Sequence, residues 1–270
     1  MTQPEDRTIQ TRSSLMSEFR AAGLQAGMHV LVHSSMKRIG GWICGSAETV
    51  VQALMDVITL EGTLMMPTFT ANNTDPQHWK HPPVPAEWWE AIRTETPAYN
   101  PITSLTREMG MIAENFRHFP DVLRSNHPIT SFAAWGKHAK YLTVTHPLEA
   151  GFGNESPLGR LYELGGTILL LGVTHGNNTS MHLAEHRSTR RKIMVSEGTA
   201  MWIDGKREWV MFTEMDYDDE PFERIGQHYE AEHHPIIMGQ VGRAITRLLP
   251  MRSLVDYTTQ WLSEHPGNEN

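Results

Sequence analysis

The amino-acid sequence predicts an α/β fold, a partly parallel sheet covered by helices, and three stretches carry that prediction. "MHVLVHSS" (28–35) and "GTLMMPTF" (62–69) are short, mostly apolar strands, and between them Val51, Leu54, Met55 and Ile58 recur at helical spacing. Strand, helix, strand is the βαβ unit, which sets two parallel strands in one sheet with the helix across a face. The third stretch, "TILLLGV" (167–173), is an uninterrupted apolar run of the kind found in sheet centres.

The remaining elements follow in chain order. "SSLMSEFRAAG" (13–23) puts Leu15, Phe19 and Ala22 on one helical face, with Gly23 as its stop. The loop "SSMKRIGGWICGS" (34–46) offers Ser46 as N-cap for the helix that follows, which Glu61-Gly62 ends. Residues 71–101 break the rhythm with six prolines and Trp79, Trp88 and Trp89. A segment of that length is a substrate-covering loop or a packed structural one, and the tryptophans argue against disorder. In "TSLTREMGMIAENFRHF" (103–119), Met109, Ile112, Ala113 and Phe116 form a helical face. "SPLGRLYELGG" (156–166) carries Ser156 as N-cap, Pro157 at the first helical position and Gly165 past the end. "TAMWIDGKREWVMFT" (199–213) is a hairpin whose Asp204-Gly205 suits a type I′ turn. Helical stretches at 219–232 and 252–265 close the chain. No linker composition interrupts it, so residues 1–270 are expected to form one domain with the 71–101 loop inserted.

A net charge of −8 disfavours nucleic acid, whose binding depends on clustered Lys and Arg. It suits a cationic substrate, and equally a surface kept acidic for solubility. The single cysteine, Cys44, rules out an internal disulfide and reads as a small packed residue. The polar opening "MTQPEDRTIQTRSS" lacks the apolar core of a signal peptide, and no apolar run nears the ~18 residues of a membrane span. A cytoplasmic protein without membrane contact is expected.

The chemistry concentrates in "VTHGNNTSMHLAEHRS" (173–188). His182, Glu185 and His186 spell H-x-x-E-H, so a zinc-dependent hydrolase is one reading, with both histidines on one helical face and Glu185 polarising a bound water. Against it, no third ligand stands out, and Arg187, Arg190, Arg191 and Lys192 crowd the site with positive charge. The other reading starts from the strand. Thr174 to Thr179 form a polar turn at the carboxyl end of "TILLLGV", where α/β sheets bind ligands. A helix beginning near Thr179 would present His182 in its first turn as a general base, with no metal required.

Four segments then carry a resemblance to a known family: "VLVHSSMKRIGG" (30–41), "GTLMMPTFT" (62–70), "TREMGMIAENFR" with "RSNHPITSFAAWG" (106–136), and "SPLGRLYELGGTILLLGVTHGNNTSMHLAEHR" (156–187). A weaker match runs through 212–226. Together they resemble the aminoglycoside 3-N-acetyltransferases, the antibiotic acetyltransferase family, in order and over most of the chain. The resemblance implies a mixed sheet flanked by helices, distinct from the GNAT fold. It implies transfer of an acetyl group from acetyl-CoA to the 3-amino group of a 2-deoxystreptamine ring, a resistance activity. His182 is the implied base, with Thr179 and nearby N–H groups facing the oxyanion and Glu185 orienting His182 or meeting an amine. Glu214 and Asp216 match aminoglycoside-contacting positions, and Asp75 is a third candidate acid. His33, Ser34 and Ser35, with Lys37 or Arg38, are the implied CoA diphosphate site, and Arg107 and Phe132 line the pantetheine channel. The 71–101 loop departs from the pattern, which leaves open an acceptor other than an aminoglycoside or a protein that only binds CoA. The active unit is expected to be a monomer or homodimer.

Overall fold

The computed structural model describes residues 8–80, 82–232 and 235–265, so the first half of the polar amino-terminal stretch lies outside the described residues. A two-residue strand, β1 (Ile9–Gln10), precedes α1 (Arg12–Ala21). Thr11 and Ser14 cap α1 reciprocally, each side-chain oxygen accepting from the other's backbone N–H, and Leu15 and Phe19 are fully buried beneath it. β2 (His29–Ser34) runs through the one-turn α2 (Met36–Ile39) and the short β3 (Trp42–Ile43), which pairs parallel with β1, into α3 (Ser46–Ile58). Ser46 is not the N-cap expected. Gly45 holds that position, and both residues have positive φ, 75° and 58°, so a left-handed kink starts the helix without a side-chain cap.

β4 (Thr63–Pro67) pairs parallel with β2 across α3, completing the βαβ unit. The 71–101 loop contains α4 (Trp89–Glu95) and two short 3₁₀ turns, then α5 (Gly110–Phe116) and β5 (Leu123–Arg124) follow. β6 (Phe132–Gly136), α6 (Ala139–Thr143), α7 (Pro157–Glu163) and β7 (Thr167–Leu171) come next. The Ser156 hydroxyl accepts the Gly159 N–H, the cap its sequence position predicts. After α8 (His182–Arg187), β8 (Met194–Ile203) and β9 (Lys206–Met215) form the expected hairpin, with Asp204 and Gly205 both at positive φ. α9 (Phe222–Ala231), β10 (Ile237–Val241), β11 (Ala244–Pro250) and α10 (Met251–Glu264) end the chain. The β10–β11 hairpin was not anticipated: its alternation is weak, since Ile237, Met238 and Ile245 stay exposed at the sheet edge.

The main sheet has the order β10-β11-β7-β2-β4-β6-β5. β7, β2 and β4 are parallel, and an antiparallel pair flanks them on each side, so the sheet is mixed and flanked by helices. Strand alternation divides its residues between two cores. Val30, Val32, Leu64, Leu169 and Leu171 face α1, α3 and α5, whereas Leu31, Met65, Ile168 and Leu170 face α6 to α10. Each fully buried aliphatic side chain contributes roughly 1.5–3 kcal/mol, so a one-residue register slip in a central strand would forfeit several such terms at once.

The 71–101 loop packs along the β8–β9 ribbon. The Asn73 side chain exchanges two hydrogen bonds of 3.1 Å with the backbone of Ala200, the Tyr99 N–H donates to Ala200 O at 2.9 Å, and Arg207 holds the Thr96 carbonyl at 3.1 Å. Among the described residues no helix is long and apolar enough to cross a membrane.

Candidate active site

β7 leaves the sheet at Leu171, and Gly172 turns the chain at φ 68°. Two 3₁₀ turns follow, His175–Asn177 and Thr179–Met181, the second capped by the Asn178 side chain on the Ser180 N–H. α8 therefore starts at His182, three residues later than Thr179. The imidazole is nearly buried, and three rings enclose it. Phe152 stacks on it at 4.7 Å and 12°, Tyr217 meets it edge-on at 5.2 Å, and Phe222 lies 4.8 Å away. One turn along the helix, Glu185 Oε2 sits 2.5 Å from His182 Nδ1, and its other oxygen accepts the Asp218 N–H at 3.0 Å. With Nδ1–H committed to a carboxylate, the remaining nitrogen, Nε2, carries the lone pair. Glu185 thus lies at hydrogen-bonding distance from the imidazole, the arrangement an orienting role requires.

Two expected acids differ sharply in setting. Glu214 is buried beside Gly151, whose N–H donates to it at 3.3 Å. Burial raises its pKa to about 7, with the Tyr217 hydroxyl offsetting part of the rise. A Cβ at position 151 would strike Thr130 Oγ1 and come within 3.0 Å of Glu214, so only glycine lets these groups converge. Behind it lie His127 and His146, ring centroids 4.5 Å apart, both held neutral by burial, His127 at about 4. Asp216 is exposed on the wall of a cleft of about 340 Å³ that Glu185, Tyr217 and Asp218 share with Lys80, Arg190, Arg191 and Lys192. Asp75 does not present the open carboxylate expected. It is 0% exposed, ion-paired to Arg93 at 2.7 and 3.1 Å, and caps the Gln77 N–H. Its geometry is that of a brace for the loop.

Beside β7 at the same sheet edge, His33 ends the buried run of β2, Ser34 and Ser35 are half-buried, and Lys37 and Arg38 are exposed on α2. Lys37 lines a surface cleft of about 440 Å³ with Gly40, Gly41, Trp42 and Gly45, while Arg38 borders a separate one with Gly172, Arg243 and Arg247. The loop thus points its two cations to different places. Arg107 is half-buried, tied by its N–H to Phe69 O at 2.9 Å, and Cys44 is half-buried. Phe132 is fully buried behind Phe69 and Phe152, so it supports the aromatic wall from the rear.

The zinc reading finds its partners engaged elsewhere. Glu185, the acid meant to polarise a bound water, is bonded to His182 Nδ1 and to the Asp218 N–H, and His186 Nε2 bonds the Tyr217 hydroxyl at 2.9 Å. Burial, Lys192 and His182 lower the His186 pKa to about 4, so it meets the Tyr217 hydroxyl as a neutral ring. Among the described residues no group of three or more His, Cys, Asp or Glu converges to hold a metal ion. Sequence reasoning missed Phe152, Tyr217 and Phe222. Each comes from a loop or helix remote from His182 in the chain, and their only sequence signal is the aromatic type.

A carboxylate-held histidine in an aromatic cage thus stands at the carboxyl edge of an α/β sheet, the edge at which such sheets bind ligands. The family model of aminoglycoside 3-N-acetyltransferases matches residues 31–263. The chain is 46% identical to the SPbeta prophage-derived aminoglycoside N(3')-acetyltransferase-like protein YokD of Bacillus subtilis, over 93% of this chain and 92% of that one. It is 35% identical to aminoglycoside N(3)-acetyltransferase VII of Streptomyces paromomycinus, over 96% and 93%. The YokD crystal structure superposes with a TM-score of 0.93 at 43% identity, covering 96% of each chain. A structure of AAC-IIIb with CoASH superposes at 0.85 and 28% identity, covering 97% and 100%, and AAC-VIa bound to sisomicin at 0.84 and 27%, covering 96% and 99%. This chain belongs to the aminoglycoside 3-N-acetyltransferase family, whose cosubstrate is acetyl-CoA.

Proposed function

We propose that the chain acetylates the 3-amino group of the 2-deoxystreptamine ring of an aminoglycoside by direct transfer from acetyl-CoA, with His182 as general base. The observation that carries the proposal is the His182–Glu185 pair at 2.5 Å inside the Phe152, Tyr217 and Phe222 cage. The attacking amine reacts only when neutral, and Nε2 takes its proton as the N–C bond forms, a contribution typically worth 10²–10⁴-fold. Glu185 stabilises the imidazolium that results. As the tetrahedral adduct collapses, the C–S bond breaks and the electron pair leaves on the CoA sulfur, which His182 can reprotonate. Thr179, in the 3₁₀ turn just before His182, is the nearby candidate for contacting the oxyanion.

For the donor, Ser34, Ser35 and Lys37 form the side of the site proposed to receive CoA, with Arg107 along the channel. For the acceptor, Glu214 and Asp216 supply negative charge to ammonium groups. Support comes from family membership and from the relatives solved with CoASH and with sisomicin. The test is CoA release from acetyl-CoA with a panel of aminoglycosides bearing free 3-amines, and mapping of the acetylated nitrogen. No turnover across the panel would overturn the aminoglycoside reading. A second reading rests on one observation: Lys80, Arg190, Arg191 and Lys192 share the cleft with Asp216. Four cations favour an acceptor amine that also carries an anionic group, and such amines belong in the same panel.

A further inference from the structure

β2 ends in a side chain that the proposed reaction has not yet used. Strand alternation places His33 on the same face as Leu31, the face packed by α8. It is paired in register with Leu170 of β7, the strand that leads directly into the His182 turn. His33 is only 6% exposed, and its Nε2 is buried with no hydrogen-bond partner. A polar atom in that state is costly until a partner satisfies it. Burial, with a smaller effect from nearby His182, holds its pKa down to about 3, so at neutral pH it is an uncharged ring with one N–H. Phosphate would call for a cation, and this histidine is not one. A carbonyl oxygen gaining negative charge matches a neutral, pre-placed N–H.

We propose that His33 is a second catalytic histidine, whose N–H donates a hydrogen bond to the thioester carbonyl oxygen of acetyl-CoA as that oxygen becomes an oxyanion. The proposal rests on the acetyl-transfer reading. His33 keeps its proton throughout. The amine proton goes to His182, the carbonyl π pair moves onto oxygen, and its return expels the CoA thiolate. The two histidines thus divide the work: His182, held by a carboxylate, accepts a proton, while His33, held by none, stabilises charge.

The test uses the full chain with His33→Leu and His33→Gln, the latter retaining an N–H donor. For His33→Leu, kcat should fall roughly 10²–10³-fold. Its melting temperature should not fall, because the unpaired polar atom has gone. His33→Gln should recover part of kcat. A second readout needs no acceptor: His33→Leu should weaken binding of acetyl-CoA while leaving that of CoA, which lacks the carbonyl, unchanged. An unchanged kcat at saturating substrates would overturn the proposal. So would equal losses of acetyl-CoA and CoA affinity, which would make His33 part of the cofactor wall. If the binding difference appears but no aminoglycoside turns over, the acceptor assignment fails and the role of His33 stands.

Discussion

Glu214 lends itself to a quantitative prediction, because burial dominates its energetics. Its pKa is raised from the ordinary 4.5 to about 7. At pH 5 the folded protein holds this proton more tightly than the unfolded chain does. As pH climbs from 4.5 through 7, the unfolded chain releases it first, so folding loses stability, and the loss is complete above about pH 7. A rise of that size corresponds to on the order of 3 kcal/mol at most. Glu214→Gln keeps the shape and removes the titration. At pH 8 the variant should therefore melt about 5 °C higher than wild type, given the transition entropy of a chain this long, whereas at pH 4.5 the two should nearly coincide. Thermal unfolding followed by circular dichroism across pH 4.5–8.5 measures the difference. A Glu214→Gln effect that is constant across that range would show that the carboxyl ionises normally, and the argument from its burial beside Gly151 would be wrong.

His182→Ala should bind acetyl-CoA and acceptor normally while kcat falls about 10²–10⁴-fold, read from steady-state CoA release. Glu185→Gln should cost roughly 10²-fold or more in kcat with little change in KM, because the amide no longer enforces the Nδ1–H tautomer. His33, His127 and His186 are held neutral well below their usual 6.5, so the stability they contribute is present above 6.5 and is lost as pH falls toward about 4. Acid unfolding midpoints of His127→Gln and wild type would check this, the variant showing the shallower pH slope. Arg93→Ala should destabilise by about 2–4 kcal/mol, since it strands the buried Asp75 carboxylate, and Asp75→Asn in the same background should recover much of the loss in a double-mutant cycle by denaturant.

Much of this protein was legible in its residues because local physics decides it. The apolar runs 28–35 and 62–69 and the helical stripe between 51 and 58 have one arrangement that buries them, and the β2–α3–β4 unit followed. The Ser156-Pro157 helix start and the Asp204-Gly205 turn are two-residue decisions, equally visible. So was the turn that delivers His182 to the sheet edge, since glycine, asparagines and threonine after an apolar strand leave little else. Ser46 shows where that reasoning stops: a good capping residue was overruled by the kink that carries the loop into α3. The β10–β11 hairpin escaped because its outward residues are as apolar as its inward ones, which erases the period-two signal.

What only the folded chain decided is long-range company. Asp75 and Glu214 are the same kind of acid in the sequence, yet Arg93 claims one, and burial beside Gly151 raises the pKa of the other to about 7. H-x-x-E-H reads as a metal motif until Glu185 takes His182 and Tyr217 takes His186. His33 is one letter in an apolar strand, implied by resemblance only as part of a CoA site, and its burial without a partner sets it apart from the serines beside it. Secondary structure depends on neighbours within a few residues. The chemistry of a histidine or a carboxylate depends on which groups the fold places within hydrogen-bonding distance and on how much water it removes.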